Sequence, residues 1–268
     1  MRLSAIVRRT TLPGTDIETS RIGFGTGSLH HLYSRRQRQT LLHEALSGGI
    51  THFDTSPFYG LGLAERDLGA FLRGRRDQVT VTTKIGLYPF GPAAGSTVDM
   101  IARKAAGRLF SALSRPVGDW SVGRAKRSLD QSLRRLGTEH VDMLLIHEPP
   151  PDLLGDPRLE QWLESERRAG RIRAYGIAGT ADRCAPFVAA NASVARLVQT
   201  ADGLDRREAD FLIGAGRDLQ ITYGYLKSMM DSDPEATLRT ALRRNAHGMI
   251  LISTRHRDRL RSLARVAR

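Results

Sequence analysis

Cysteine is nearly absent from this 268-residue chain, Cys184 being the only one. An internal disulfide is therefore excluded, and so is any metal centre built from clustered thiolates; no metal site is expected. Cys184 itself reads as a small residue on or under a helix. Long apolar runs are missing too. No stretch comes near the roughly 18 consecutive apolar residues that a membrane-spanning helix needs. The N-terminus, MRLSAIVRRT, carries early positive charge without a hydrophobic core of signal-peptide length. These absences predict a soluble, cytoplasmic protein with no membrane partner. Lysine is scarce: Lys84, Lys104, Lys126 and Lys227 are the only four among 41 basic residues, which face 28 acidic ones for a formal charge of +13. Such a balance favours anionic partners. The arginines are scattered, however, with no basic tail and no interleaved aromatic stripe. A stacking platform for nucleic acid is lacking, so no nucleic-acid partner is expected; a basic solvated surface or a small anion accounts for the charge.

What the chain does have is alternation. From about residue 20 onward, short β-type runs are followed by longer segments of helical spacing. Strands are predicted at 21–25, 52–54, 79–84, 141–146, 174–178, 196–198, 219–223 and 249–252. Helices are predicted at 37–46, 64–72, 122–136, 159–169, 183–190, 206–215, 234–244 and 257–266. Residues 79–84 are rich in β-branched side chains, and 141–146 is an almost continuous apolar run, the pattern of a strand buried on both faces. Eight strand–helix units in series predict an α/β fold, a single (β/α)8 TIM barrel over residues 1–268. A doubly wound open sheet is the alternative, but Gly23-Phe24-Gly25-Thr26-Gly27 lacks the third well-placed glycine of its phosphate-binding turn. The first eighteen or so residues, with Pro13-Gly14-Thr15-Asp16 as a turn, predict a short N-terminal hairpin. Residues 85–121, containing Pro89, Gly91, Pro92, Gly95 and Pro116, break the rhythm. They are expected to form an inserted substrate loop after the third strand, with a helix at 100–113 inside it.

Three polar residues stand at the ends of successive predicted strands: Asp54, Lys84 and His147. Neighbouring strands of a barrel bring such ends to one mouth. Tyr59 follows Asp54 in the loop Thr-Ser-Pro-Phe-Tyr-Gly, long enough to fold back over that mouth. Singly each residue has a plainer role: a loop cap, a packed ring, a solvated amine, a half-buried imidazole. Together they have a chemical logic. Reducing a carbonyl requires a proton for the developing alkoxide, and a free tyrosine, with a pKa of about 10, is a poor donor at neutral pH. A lysine beside its hydroxyl would lower that value, and a carboxylate would hold the lysine charged.

The segments Phe53-Asp54-Thr55-Ser56-Pro57-Phe58-Tyr59-Gly60 with Glu65 and Leu68-Gly69, then Thr82-Thr83-Lys84-Ile85-Gly86, then Asp142 to His147, resemble the aldo-keto reductase family. The resemblance runs from about residue 21 to 263 and is most specific in the first half. It implies a barrel that binds an extended nicotinamide cofactor without a doubly wound domain. It also implies an oxidoreductase that interconverts a carbonyl (aldehyde, ketone or sugar) and an alcohol. Asp54, Tyr59, Lys84 and His147 fall on the family's catalytic tetrad, with Tyr59 as general acid/base and His147 orienting the substrate oxygen. Gly25, Thr26, Gln199 and Tyr223 fall where relatives meet the nicotinamide, and Thr254, Arg255 and Arg259 where they meet the adenosine phosphate. That basic cluster favours NADPH over NADH.

Two departures stand out. Many relatives hold the carboxamide with a Ser-Asn pair after the fifth strand; here the stretch reads Gly176-Ile177-Ala178-Gly179-Thr180. Relatives also carry a longer C-terminal loop over the pocket, so substrate choice is expected to rest on residues 85–121. The flavour is that of the aldose and galactose dehydrogenase branch, which implies a sugar-like substrate. The alternative is a catalytically silent nicotinamide-binding regulatory barrel. The sequence specifies no oligomeric state.

Overall fold

A computed structural model describes residues 7–109, 115–227 and 233–268. Two short antiparallel strands, β1 (Arg9–Thr11) and β2 (Glu18–Ser20), form the expected hairpin. Eight parallel strands then close on themselves in the order β3 (Ile22–Gly25), β4 (His52–Asp54), β5 (Thr80–Ile85), β8 (Val141–His147), β9 (Ile172–Gly179), β10 (Val198–Ala201), β11 (Ile221–Tyr223) and β12 (Met249–Ile252). The ring is completed by pairing of β12 with β3. The remaining pair, β6 (Leu87–Tyr88) and β7 (Val117–Gly118), lies inside the predicted insertion.

Helices between the strands form the outer layer: α1 (Arg35–Ser47), α2 (Leu63–Leu72), α3 (Thr97–Leu109), α4 (Val122–Leu136), α5 (Pro157–Arg168), α6 (Ala181–Ala189), α7 (Asp210–Gly214), α8 (Pro234–Arg244) and α9 (Arg257–Val266). Local chemistry explains several boundaries. Ser121 caps α4 by accepting from the Arg124 amide, and Gly137, at φ 64°, ends it in the left-handed conformation that glycine adopts freely. Ala125, Leu129, Leu133 and Leu136 form the buried stripe between. Asp156 caps α5, with Pro157 in the first turn. None of the described helices is long and apolar enough to cross a membrane.

Some expectations shift. The sixth strand runs over Val198–Ala201 rather than 196–198. The helix expected at 206–215 shrinks to Asp210–Gly214, because Arg207 turns at φ 51° and the Ala209 amide is held by Asp202. The helix expected at 100–113 begins at Thr97, and 110–113 lie outside the described residues.

Two packing details position the mouth. Leu12 and Ile17 of the hairpin pack with Met143, Leu145, Ile221 and Met249 of the barrel interior, which stoppers the end where the strands begin. The open end is therefore the one where the strands finish. At Gly69 of α2, an added Cβ would lie 2.2 Å from the Arg135 carbonyl oxygen of α4, so glycine is required for these helices to meet. That contact lets buried Glu65 accept from the Thr83 hydroxyl at 2.6 Å and from Arg135 Nε at 2.7 Å, fixing α2 against the strand that carries Lys84.

Candidate active site

Strand register brings the polar strand ends together. Gly25 pairs with Asp54, Asp54 with Thr82, Lys84 with Leu145, His147 with Ala178, and Ala178 with Gln199. Asp54 and Lys84 are almost completely buried. The Lys84 ammonium donates to both Asp54 oxygens, at 2.7 and 2.6 Å, and to the Thr55 carbonyl at 3.1 Å. Burial pushes the Asp54 carboxyl up and the Lys84 ammonium down, and each is opposed by the charge of the other.

Tyr59 folds back over this pair, as its loop length allows. Its ring centroid is 5.2 Å from Lys84 Nζ and 6.1 Å from the His147 ring, which it meets edge-on at 89°. The return is tight: Gly60, Leu61 and Gly62 all carry positive φ. The described hydrogen bonds of Lys84 do not include the Tyr59 hydroxyl. Burial, with the negative charges of Asp54 and Glu148, pushes the Tyr59 phenol above its ordinary value. His147 is pushed down to about 3 by burial and by Lys84, so its imidazole is neutral at neutral pH. Its Nδ1 is buried with no protein partner.

These residues line one cavity of about 480 Å³, within the usual range of small-molecule sites. Asp54, Tyr59, Lys84 and His147 share its wall with Gly25, Gln199, Tyr223 and Arg259. Thr26 and Thr254 do not. The Thr26 hydroxyl is turned below the wall to the Asp54 carbonyl at 3.0 Å, and the Thr254 hydroxyl accepts from the His256 amide at the start of α9. Arg255 is exposed outside the cavity wall. Cys184 is buried on α6, its thiol pushed up to about 12 by burial, which makes it inert.

The wall also contains residues that strand-end reasoning did not single out, among them Ser28, His31, Tyr225 and Lys227. Their position just past strand ends was the available signal. Glu148 carried none, standing in the proline-rich run His147-Glu148-Pro149-Pro150-Pro151. It is half-buried, has φ 47°, and lays its carboxylate against Gly179, a cavity-wall residue.

Comparison with known proteins accords with this geometry. The sequence model of the Aldo/keto reductase family matches residues 21–185. The chain belongs to that family. It is similar to a pyridoxal 4-dehydrogenase of Microbacterium luteolum, at 30% identity over 194 residues, covering 66% of this chain and 56% of that protein. An L-galactose dehydrogenase of Arabidopsis thaliana is 29% identical over 176 residues, covering 63% and 47%. The aligned part thus spans about half the length of these relatives. Among solved structures, an aldo-keto reductase of Bacillus halodurans in holo form superposes with a TM-score of 0.74 at 21% identity, over 97% of this chain and 90% of that one. One from Klebsiella pneumoniae in complex with NADPH gives 0.68 at 17%, over 98% and 90%. At these identities the likeness concerns the aldo/keto reductase barrel itself.

The donor set suits a nicotinamide. Gln199 Oε1 is buried and unpartnered, an acceptor at the height of Asp54, where a carboxamide amide could donate. Tyr223 offers a ring, and Lys227 and Arg259 offer cations to phosphate.

Proposed function

We propose that this protein is an oxidoreductase that interconverts a carbonyl and an alcohol with NADPH, in preference to NADH, in the cytoplasm. The observation that carries the reading is the convergence of Asp54, Lys84, His147 and Tyr59 on one cavity wall in a chain of this family. Sugar-like carbonyls are the substrate class, by likeness to the aldose and galactose dehydrogenases among its relatives.

The nicotinamide, when bound, supplies or accepts the hydride. The chain's own residues do the rest. Tyr59, whose phenol holds its proton throughout the neutral range, donates it to the alkoxide that develops on the substrate. A strong base such as a developing alkoxide takes a proton even from a weak acid like a phenol. Neutral His147 orients the substrate oxygen through a ring nitrogen without competing as the acid. The Lys84–Asp54 pair places a fixed dipole under the Tyr59 ring rather than a hydrogen bond on its hydroxyl. Gln199 would accept from the carboxamide, Tyr223 would offer its ring to the nicotinamide, and Arg259 with Arg255 would meet the adenosine phosphate.

Tyr59→Phe tests the assignment. Turnover of NADPH with an aldehyde or open-chain sugar should fall by at least about a hundredfold, with the Kd for NADPH unchanged. Near-normal turnover would remove Tyr59 from the chemistry. Tight NADPH binding without turnover in the unaltered protein would favour the regulatory barrel.

A further inference from the structure

We propose that Glu148 takes over the place of the carboxamide-holding side chain that position 179 lacks, and that its charge makes the site bind the oxidised, cationic nicotinamide more tightly than the reduced one. The inference rests on the nicotinamide reading above and deepens it by assigning a preferred redox state of the cofactor.

Position comes first. Glu148 directly follows His147, and its amide donates to the Ala178 carbonyl at 2.7 Å, so it stands beside the tip of β9. Ala178 and Gly179, at that tip, line the cavity, and neither offers a polar side chain. The Glu148 carboxylate fills the space that a side chain at 179 would take: a Cβ built on Gly179 would lie 2.9 Å from Oε2 and 3.2 Å from Cδ. Glycine at 179 and glutamate at 148 are thus sterically complementary, since any larger residue at 179 would displace the carboxylate.

A loop anchor alone would be a poor explanation. Glu148 adopts φ 47°, a left-handed backbone that is strained for a non-glycine residue. The only described hydrogen-bond partners of its carboxylate are the amide and hydroxyl of Thr180, both at 3.4 Å on one oxygen. Bonds that long return little, and an ionised carboxylate has about four acceptor positions. The other oxygen makes no described hydrogen bond.

Charge completes the case. In a chain with a formal charge of +13, Glu148 makes no ion pair among the described residues, although it is half-buried. Lys84, the buried cation of the same mouth, is matched by Asp54. Glu148 stands behind the wall residue Gly179; burial pushes its carboxyl up, Arg183 opposes this without forming an ion pair, and Glu148 is near enough to oppose ionisation of both Tyr59 and Tyr223. A carboxylate there would accept a carboxamide N–H from either redox form, but it would attract only the ring that carries positive charge. The site is thus biased toward binding the oxidised cofactor.

The test is a pair of fluorescence titrations, NADP+ and NADPH, on the full chain and on Glu148→Gln at one ionic strength. Glutamine keeps the volume and the contacts to Thr180 while removing the charge. The expected result is a roughly tenfold rise in the Kd for NADP+ with the Kd for NADPH within about twofold. Gly179→Ala, which displaces the carboxylate without removing it, should erode the same preference. An unchanged ratio of the two constants in Glu148→Gln, whether both hold or both weaken equally, overturns the inference and leaves the catalytic assignment standing. Failure of the unaltered protein to bind either nucleotide overturns both.

Discussion

The Lys84 ammonium is held at the barrel mouth by both Asp54 oxygens and the Thr55 carbonyl, and this decides how single substitutions behave. Lys84→Met leaves the Asp54 carboxylate buried with no cation, which should cost about 3–5 kcal/mol in a denaturant unfolding measurement. Adding Asp54→Asn removes the stranded charge, so the double variant should recover most of that stability while turnover stays low. A double variant no more stable than Lys84→Met would show that the pair is not the buried ion pair described. The tetrad was legible because each member ends a strand or begins the loop beyond it, where a polar residue after an apolar run is conspicuous. Glu148 was not legible. Its meaning depends on the absence of a side chain at Gly179, more than thirty positions away, and no local pattern registers that.

At the scale of elements, the insertion 85–121 is clamped at its base. Gly86, at φ 107°, leaves room for the Trp120 indole, which would lie 2.2 Å from a Cβ there. The indole N–H donates to the His147 carbonyl at 3.0 Å, and the Asp119 amide donates to the Gly86 carbonyl at 2.9 Å. The insertion is therefore tied to the strand end that presents His147. Trp120→Ala should raise the KM for the carbonyl severalfold and speed proteolysis within 87–119, with the Kd for NADPH unchanged. Unaltered KM and cleavage would separate the insertion from the substrate site. The strands that sequence patterning placed least well have polar interiors. In Val198–Ala201 the buried positions include Gln199, which lines the cavity, and Thr200, which points to the opposite face of the strand, so the apolar signal stops at Val198. The segment 206–215 has helical composition, but the Asp202 side chain and the turn at Arg207 claim its first half. The insertion was recognisable by length and proline content, whereas its two-stranded base was not, because two residues per strand leave no periodicity.

Across the whole molecule, the excess positive charge is largely an arginine-covered exterior. Arg257 and Arg261 converge on Glu44, Arg167 and Arg168 on Glu164, and Arg171 on Asp130 and Glu166. Lys227 and Arg259 are the exposed cations on the cavity wall. The hairpin stoppers one end of the barrel and the polar strand ends occupy the other, so chain direction alone assigns the functional face. The central claim is direct hydride transfer at that face. It is tested most directly with NADPH dideuterated at nicotinamide C4, a panel of aldehydes, ketones and open-chain sugars, and mass analysis of the alcohol formed. The account predicts one deuterium on the former carbonyl carbon, in step with NADPH consumed. Saturable NADPH binding with no alcohol, or alcohol carrying no deuterium, would contradict it.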